Sequence, residues 1–174
     1  LSIISTKFLR DASQVDFWVA QMLFALLRWT TRNPKNALQG VVLFDEADMY
    51  LPAIRQPATK APLESLLKRA RSAGLGVLLA TQSPGDLDYR CRDTIRSWFL
   101  GRIKENTALN KLKPMLNGAA GDVSSKLPGQ DTGEFHLARA GEVTPFSAYR
   151  SILTTEQLSE QQLLAVAANQ RPRR

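Results

Sequence analysis

The chain has 174 residues, of which 44% are hydrophobic and 22% are charged, and its formal net charge is +7. This length predicts one domain with an ordinary core, and the basic balance suits a polyanionic partner. The single cysteine, Cys91, excludes an internal disulfide and a cysteine zinc cluster, and no apolar run approaches the ~18 residues that a membrane span needs. We therefore expect a soluble protein of the cytoplasm, with no membrane span in this segment.

The amino-terminal part is predicted to hold a strand, a helix and a polar connection. Residues 1–9 would form the strand, and residues 28–39 the connection. Ser13 would cap the helix, with Asp16 three residues later in a capping-box pattern. The helix is expected to bury one apolar stripe, in which Trp18 belongs to the core: Val15, Trp18, Val19, Met22, Leu23, Leu26 and Leu27.

Residues 41–44 are apolar without alternation, and two adjacent carboxylates, Asp45 and Glu46, follow them. Such a run is typical of a parallel strand that is covered on both faces. The carboxyl ends of parallel strands form the edge at which α/β proteins bind ligands, and paired acids placed there can serve phosphoryl transfer. Taken alone, these six residues are equally consistent with a strand that simply meets solvent.

A second apolar strand, residues 75–80, ends in Thr81 and Gln82. Between the two strands, residues 62–72 have the apolar spacing of a helix, and Gly74 is placed as its carboxyl-terminal cap. This order predicts a right-handed βαβ unit whose two strands end in polar groups at the same edge of the sheet.

Two strings, LFDEADMYLP and LLKRARSAGLGVLLATQSPGDLD, resemble the Walker B strand and the following helix and sensor strand of HerA/FtsK-type ATPases, which are DNA translocases and helicases. The resemblance extends over roughly residues 1–116. It implies a RecA-like P-loop NTPase fold, which is α/β with a mostly parallel sheet and flanking helices. It also implies ATP and Mg²⁺ as cofactors, a homo-oligomeric, hexameric ring, and binding of duplex DNA, with a nuclease or another effector as a further partner.

The resemblance also implies roles for the polar residues at the strand ends. Asp45 would hold hydrated Mg²⁺ through water, Glu46 would activate the attacking water, and Gln82 would orient that water or sense the γ-phosphate. Thr81 is the weaker candidate for a nucleotide contact. The alternative for Gln82 is a simple cap of the next turn, and Asp48 is expected to be structural.

Arg69 and Arg71 lie at the end of the predicted helix on opposite flanks, so they cannot serve one site together. Both complement the negative end of the helix dipole, which is the alternative to a functional role. The position of Arg71 in the ARSAG string favours it as an arginine finger that acts in the neighbouring subunit's site. Arg69 is the second candidate for contact with the nucleotide.

The sequence contains no G-x-x-x-x-G-K-[ST] motif, the loop that cradles nucleotide phosphates. We therefore expect the chain to begin after that loop, to lack part of the sheet and to hydrolyse ATP poorly on its own. Residues 1–150 would be the carboxyl-terminal part of the ATPase domain, and residues 151–174 a helix and a basic tail. The alternatives are a noncatalytic assembly module that retains the fold and a conjugation-type coupling ATPase.

Basic residues that could contact DNA fall in two stretches. Arg55 and Lys60 lie in a loop that is expected to be exposed, residues 52–60, and Arg90 and Arg92 follow the sensor strand. Phosphate contacts need only positive charge at suitable spacing, so a solvated basic face is an equal alternative for each residue. We find no base-reading motif, so binding is expected to be independent of DNA sequence.

The carboxyl-terminal half is predicted to hold, in order, a short helix, a strand, a helix, a hairpin and a last helix: residues 86–95, 97–103, 107–116, 133–138 with 143–149, and 154–169. Strands 75–81 and 97–103 should either pair directly or have another chain or element between them. His136 would be a packed or surface imidazole. Cys91 lacks the paired base of a nucleophile, although its arginine neighbours could lower its pKa.

Overall fold

The computed structural model describes residues 1–113 and 123–169. The strands in this part are β1 (Gly40–Phe44), β2 (Leu75–Leu79), β3 (Ser97–Leu100), β4 (Glu134–Arg139) and β5 (Glu142–Ser147). The α-helices are α1 (Ala12–Arg32), α2 (Ala47–Tyr50), α3 (Lys60–Arg69), α4 (Asn106–Leu112), α5 (Val123–Lys126) and α6 (Glu160–Asn169). The predicted basic tail and the end of the predicted helix 107–116 lie outside the described residues.

The predicted βαβ unit is confirmed. β1 and β2 pair in parallel, from Gly40 opposite Leu75 to Phe44 opposite Leu79, and α3 lies between them in the chain. A 3₁₀ turn, Ala70–Ala73, continues α3 towards β2. The α/β class that the sequence predicts is therefore correct, and parallel pairing in the described part of the chain is confined to these two strands.

Gly74 is required where the chain enters β2. Its φ is 61°, in the left-handed region that favours glycine. A Cβ at this position would lie 1.9 Å from the Ala37 carbonyl oxygen, and the Gln39 amide donates to the Gly74 carbonyl over 2.7 Å. The segment before β1 and the segment before β2 therefore approach each other more closely than any side chain permits.

The larger core lies on one face of the β1–β2 pair. Helices α1 and α3 pack together over the inward side chains, and the buried cluster includes Leu23, Phe44, Leu51, Leu63, Leu66 and Leu75. On the other face Val41, Leu43 and Leu78 are 56%, 59% and 51% exposed. The expectation of a strand covered on both faces is therefore wrong for the described residues, because both flanking helices contribute to the same core.

The remaining strands form a separate antiparallel sheet in the order β3, β4, β5. The predicted hairpin is confirmed, and its two turn residues, Ala140 and Gly141, have φ of 54° and 83°, as a type I′ turn requires. Direct pairing of strands 75–81 and 97–103 is wrong, because β3 takes its hydrogen bonds from β4. Trp98 of β3 packs against the buried clusters under both sheets and joins them.

The start of the chain differs from the sequence-based expectation. Residues 1–9 form no strand. Asp11, and not Ser13, caps α1, because its carboxylate accepts the Gln14 amide over 2.9 Å, while the Ser13 hydroxyl donates to the same carboxylate over 2.7 Å. Trp18 is 58% exposed and lies outside the core. Helix α1 continues to Arg32, so the predicted connection begins five residues later than expected.

Residues 148–169, which we call the C-terminal extension, are almost entirely exposed. Tyr149 and Ile152 are each 100% exposed, and α6 has no buried residue. An exposed ion pair between Lys7 and Glu160, 3.1 Å long, is its contact with the start of the chain. Of the helices that the structure describes, none combines the length and apolarity that crossing a membrane requires.

Candidate functional site

The two predicted carboxylates lie where the parallel pair ends. Asp45 and Glu46 are exposed and directly follow Phe44, the last residue of β1. The Ala47 amide donates to the Ala80 carbonyl over 2.8 Å, and the Ala80 amide donates to the Phe44 carbonyl over 2.9 Å. These bonds fix the Asp45–Glu46 turn against the end of β2, at the carboxyl edge of the sheet.

Glu46 has a left-handed backbone conformation, with φ and ψ both 50°. For a residue with a Cβ this conformation costs about 1 kcal/mol. The Asp45 carboxylate accepts the Glu46 amide over 3.1 Å, and the fully buried Ala47 anchors the helical turn α2 that follows. Among the described residues other than glycine, Glu46 shares a positive φ only with Ala140 of the hairpin turn.

Polar side chains also follow β2. The Thr81 hydroxyl donates to the Asp48 carboxylate and accepts the Ser83 amide over 2.9 Å. Gln82, between Thr81 and Ser83 in the chain, is exposed. Asp48 therefore links the two strand ends, and the structure brings Thr81 and Gln82 to the same edge as Glu46.

The segments after the two strands stay together beyond this edge, and we call residues 45–55 and 80–90 the linked arms. Backbone hydrogen bonds of ordinary length join them at several positions. The contacts are Ala47 amide to Ala80 carbonyl at 2.8 Å, Asp88 amide to Leu51 carbonyl at 2.9 Å, Ala53 amide to Asp86 carbonyl at 2.8 Å, and an antiparallel bridge between Pro52 and Leu87.

A buried carboxylate, Asp88, lies near the far end of the arms and is fully buried. Its Oδ2 lies 2.7 Å from Lys60 Nζ and 2.9 Å from Arg90 Nη2. Burial alone would raise the pKa of this carboxyl, but the hydrogen bonds from Arg90 and Lys60 outweigh burial and hold the pKa well below its ordinary value. Asp88 is thus an ionised hub, and sequence reasoning missed it because neither partner is recognisable before folding.

The structure changes the set of candidate DNA contacts. Lys60 is 2% exposed and begins α3, so the expectation of an exposed Lys60 is wrong. Arg55 is exposed in the loop of residues 53–57. The side chain of Arg90 is 58% exposed although it is paired with Asp88. The side chain of Arg92 lies outside what the structure describes.

A pocket of about 640 Å³ lies beside the linked arms. Its walls include Ile54, Asp86, Trp98, Lys111 and Leu112. The Lys111 ammonium group donates to the Gly85 carbonyl over 2.7 Å. The lining includes Asp48, which links the two strand ends, but not Asp45 or Glu46.

Arg69 and Arg71 lie far from this edge. Arg69 ends α3, Arg71 lies in the following 3₁₀ turn, and both are exposed. Helix α3 begins after the carboxyl end of β1 and ends before the amino end of β2, and its 10 residues span ~15 Å. The two arginines therefore lie at the edge of the sheet opposite Glu46.

The exposed carboxylate oxygens at the carboxyl edge could bind a hydrated Mg²⁺ ion that also binds a nucleotide. Within residues 1–113 and 123–169, no cluster of three or more His, Cys, Asp or Glu side chains is arranged to hold a metal by itself. Mg²⁺ usually takes one or two carboxylates and completes its ligands with water and phosphate oxygens. Asp45 fits the first part of that set, and ATP would supply the phosphates.

Two other buried groups do not belong to the edge. Burial, and then the negative charges of Glu64 and Asp88, raise the pKa of the Cys91 thiol to about 11, so the expected lowering by its arginine neighbours is wrong. His136 is buried in β4 as a packed imidazole. Neither group is placed for nucleophilic chemistry.

Solved structures with the same fold include genome-packaging NTPases. B204 from Sulfolobus turreted icosahedral virus, described as its DNA-packaging ATPase, gives a TM-score of 0.59 at 15% identity, over 84% of this chain and 66% of that one. B204 from Sulfolobus turreted icosahedral virus 2 gives 0.61 at 16% identity in complex with AMPPCP, over 78% and 63%. Its complex with ATP-gammaS gives 0.52 at 19% identity, over 63% and 52%.

These likenesses show that this chain shares the fold of the B204 chains, and this chain spans about half to two thirds of their length. No protein-family model matches the chain, and neither does any curated protein sequence.

Proposed function

We propose that this chain is the carboxyl-terminal part of a ring-forming motor of HerA/FtsK type, which couples ATP hydrolysis to movement along duplex DNA. The observation that carries the proposal is the strained turn of Asp45 and Glu46, which hydrogen bonds hold beside Thr81 and Gln82 at the carboxyl edge. The nucleotide complexes of B204 and its description as a DNA-packaging ATPase support ATP as cofactor and DNA as partner.

The side chains at the edge divide the chemistry among them. Mg²⁺, when bound with ATP, would supply positive charge that stabilises the phosphates. Asp45 would hold that ion through water. Glu46 accepts a proton from the attacking water, and its fixed left-handed backbone limits the directions that the carboxylate can take. Gln82, exposed next to the Thr81–Asp48 link, orients the same water.

Arg71 completes the site of the neighbouring subunit. Its place at the opposite edge of the sheet excludes it from the site formed by Glu46 of its own chain. A guanidinium group that acts on a neighbour ties hydrolysis to ring assembly, because the charge on the transferring phosphoryl group is stabilised only at an interface. Arg69, two residues earlier in the chain and on the other flank, is the alternative finger.

The complete motor also needs a phosphate-binding loop, which the 174 residues do not contain in the form G-x-x-x-x-G-K-[ST]. We propose that a longer polypeptide supplies it, so that the chain alone hydrolyses ATP poorly. The same observation is what favours the second candidate, a noncatalytic assembly module that keeps the fold. Turnover by the polypeptide that joins a phosphate-binding loop to these residues separates the two functions.

The first experiment replaces Glu46 by Gln in that complete polypeptide. Loss of a general base is expected to lower ATP turnover by ~10²–10⁴-fold, while binding of a fluorescent ATP analogue stays within about 2-fold. Glu142→Gln, an exposed carboxylate in β5, is the matched control and should leave turnover unchanged. Undiminished turnover in the Glu46→Gln variant would remove Glu46 from the mechanism.

The second experiment mixes subunits. Arg71→Ala and Asp45→Ala motors should each be inactive, and mixed rings should recover part of the activity at interfaces that combine an intact Asp45 with an intact Arg71. Arg69→Ala should be milder and is the control. No recovery in mixtures whose subunits are shown to exchange would contradict a role for Arg71 in the neighbouring site.

A further inference from the structure

The linked arms join the proposed hydrolysis turn to an exposed loop, residues 53–57. The first arm runs from Glu46 through the single helical turn α2 to Ile54 and Arg55. Ile54 is 91% exposed, and Arg55 beside it is exposed as well. An apolar and a cationic side chain therefore stand together at the tip of a loop that begins within ten residues of the proposed general base.

The loop is supported from below by Lys60. The ammonium group of this buried lysine has three donors, and three oxygens of this chain lie within reach of them. Asp88 Oδ2 is 2.7 Å from Lys60 Nζ, the Pro52 carbonyl oxygen 2.6 Å and the Arg55 carbonyl oxygen 3.5 Å. Lys60 thus binds both the start and the tip of the loop, and anchors them to the second arm.

Asp88 fixes the second arm in the same way. Its carboxylate accepts the backbone amide of Arg90 over 2.9 Å and the guanidinium group of the same residue over 2.9–3.3 Å. Its own amide donates to the Leu51 carbonyl over 2.9 Å. The buried ion pair of Lys60 and Asp88, which we call the clamp, therefore connects the first arm, the loop, the start of α3 and the second arm.

Stability alone does not explain such a pair. Two buried charges lose their hydration, and apolar residues of similar volume stabilise a core as well or better. A fully hydrogen-bonded ion pair does what apolar contacts cannot do, because it is directional and permits only one arrangement of the groups around it. At this place, that arrangement sets the position of the loop relative to Glu46.

We infer that Lys60 and Asp88 are positioning residues that make the hydrolysis turn and the loop of residues 53–57 move as one body, so that Ile54 and Arg55 report contact with duplex DNA to Glu46. The inference rests on the proposed function. It assigns coupling to the clamp, and it assigns the DNA contact of the first arm to the loop tip and not to Lys60.

The mechanical part is tested on the 174-residue chain by amide hydrogen exchange. Asp88→Asn, and the charge-free pair Lys60→Met with Asp88→Asn, should each speed exchange of the Ala53 amide by ~10-fold or more relative to amides of β2, because local opening becomes easier. Leu23→Ala removes apolar contacts from the shared core while Lys60 and Asp88 stay in place, so it is the control for a general loss of stability. Unchanged exchange at Ala53 in both variants would show that the clamp does not hold the loop.

The functional part is tested in the complete motor as the ratio of ATP turnover with a duplex oligonucleotide to turnover without it. Both clamp variants should keep basal turnover within about 2-fold and bring the ratio close to one. Ile54→Ala with Arg55→Ala should also bring the ratio close to one, whereas Leu23→Ala should leave the ratio unchanged even if the protein is less stable.

The outcomes distinguish the two proposals. If the unsubstituted motor shows no turnover, or no stimulation by DNA, the proposed function fails and the coupling fails with it. If the motor is stimulated by DNA and both clamp variants are stimulated equally, only the coupling is wrong. A clamp variant that loses basal and stimulated turnover in proportion would assign Lys60 and Asp88 to fold stability alone.

Discussion

The linked arms and the C-terminal extension are of similar length, and they differ in what supports them. Hydrogen bonds join the arms to each other, and the clamp beneath them is buried. The extension carries apolar side chains such as Tyr149 and Ile152, yet each is fully exposed. Apolar content therefore does not decide which segment is fixed. A segment is fixed when it makes hydrogen bonds or buried contacts with distant parts of the chain.

The comparison also separates two kinds of local stability. Opening the arms would expose an ion pair and several backbone groups that now have partners, so opening them is expected to need much of the global free energy of unfolding. The extension has few contacts that opening would break, and a helix of 10 residues is marginally stable in water by itself. Four substitutions or deletions test this difference, from the largest expected effect to the smallest.

The largest effect is expected from Gly74→Ala, which attacks the βαβ unit that carries both arms. The new Cβ would meet the Ala37 carbonyl oxygen at 1.9 Å, on a backbone with φ of 61°. We expect a loss of about 3–5 kcal/mol in the free energy of unfolding, measured by urea denaturation. Gly129→Ala, where a Cβ meets nothing within 4 Å, is the matched control, and an equal loss in both variants would contradict the argument.

Asp88→Asn is expected to cost about 3 kcal/mol near pH 7, because Lys60 keeps its buried charge without its partner. The folded-state pKa of Asp88 is depressed, so its stabilising contribution is full above the ordinary value of 3.8 and is lost as the pH falls further. The stability gap between the native chain and the variant should therefore narrow from pH 5 to pH 2. A gap that is constant over this range would mean that Asp88 has an ordinary pKa.

A smaller effect is expected at Glu46, where the glycine variant should be more stable than the alanine variant. Glycine removes the strain of the left-handed backbone and alanine keeps it, so Glu46→Gly should be more stable than Glu46→Ala by about 1 kcal/mol. At Lys68, inside α3, the order should reverse, because glycine weakens a helix by about 1 kcal/mol relative to alanine. Thermal unfolding of the four variants measures both differences, and the same order at both sites would contradict strain at Glu46.

The smallest effect is expected from deleting residues 151–174. Within the described residues 151–169, only residue 163 is even partly buried, and the ion pair of Lys7 with Glu160 is exposed and worth little. The free energy of unfolding should change by less than about 0.5 kcal/mol. A loss above about 1 kcal/mol would show that the extension supports the chain as the arms do.

The sequence predicted the elements that depend on local pattern. β1, β2, the helix between them, the cap at Gly74 and the hairpin all follow from apolar periodicity and turn chemistry. Asp45, Glu46, Thr81 and Gln82 lie at one edge because parallel strands must end on the same side. Their roles in hydrolysis remain predictions.

Features that depend on distant partners could not be predicted in this way. The burial of Lys60 follows from Asp88, which lies in another loop and has no recognisable motif of its own. An apolar run such as that of β1 does not reveal whether helices cover one face or two, which is why Val41 and Leu43 were expected to be buried. The cap at Asp11 was missed because Ser13 offers the same chemistry two residues later.

The buried thiol of Cys91 can report how often the surrounding structure opens. Cys91 is the only cysteine in the sequence, its amide donates to the Asp88 carbonyl over 3.2 Å, and its pKa of about 11 leaves almost no thiolate at neutral pH while the arms are closed. Its alkylation rate therefore counts openings of the region around Asp88, without an engineered label. The alkylation rate of Cys91 should fall when a bound partner keeps the arms closed, and it should rise when the clamp is broken.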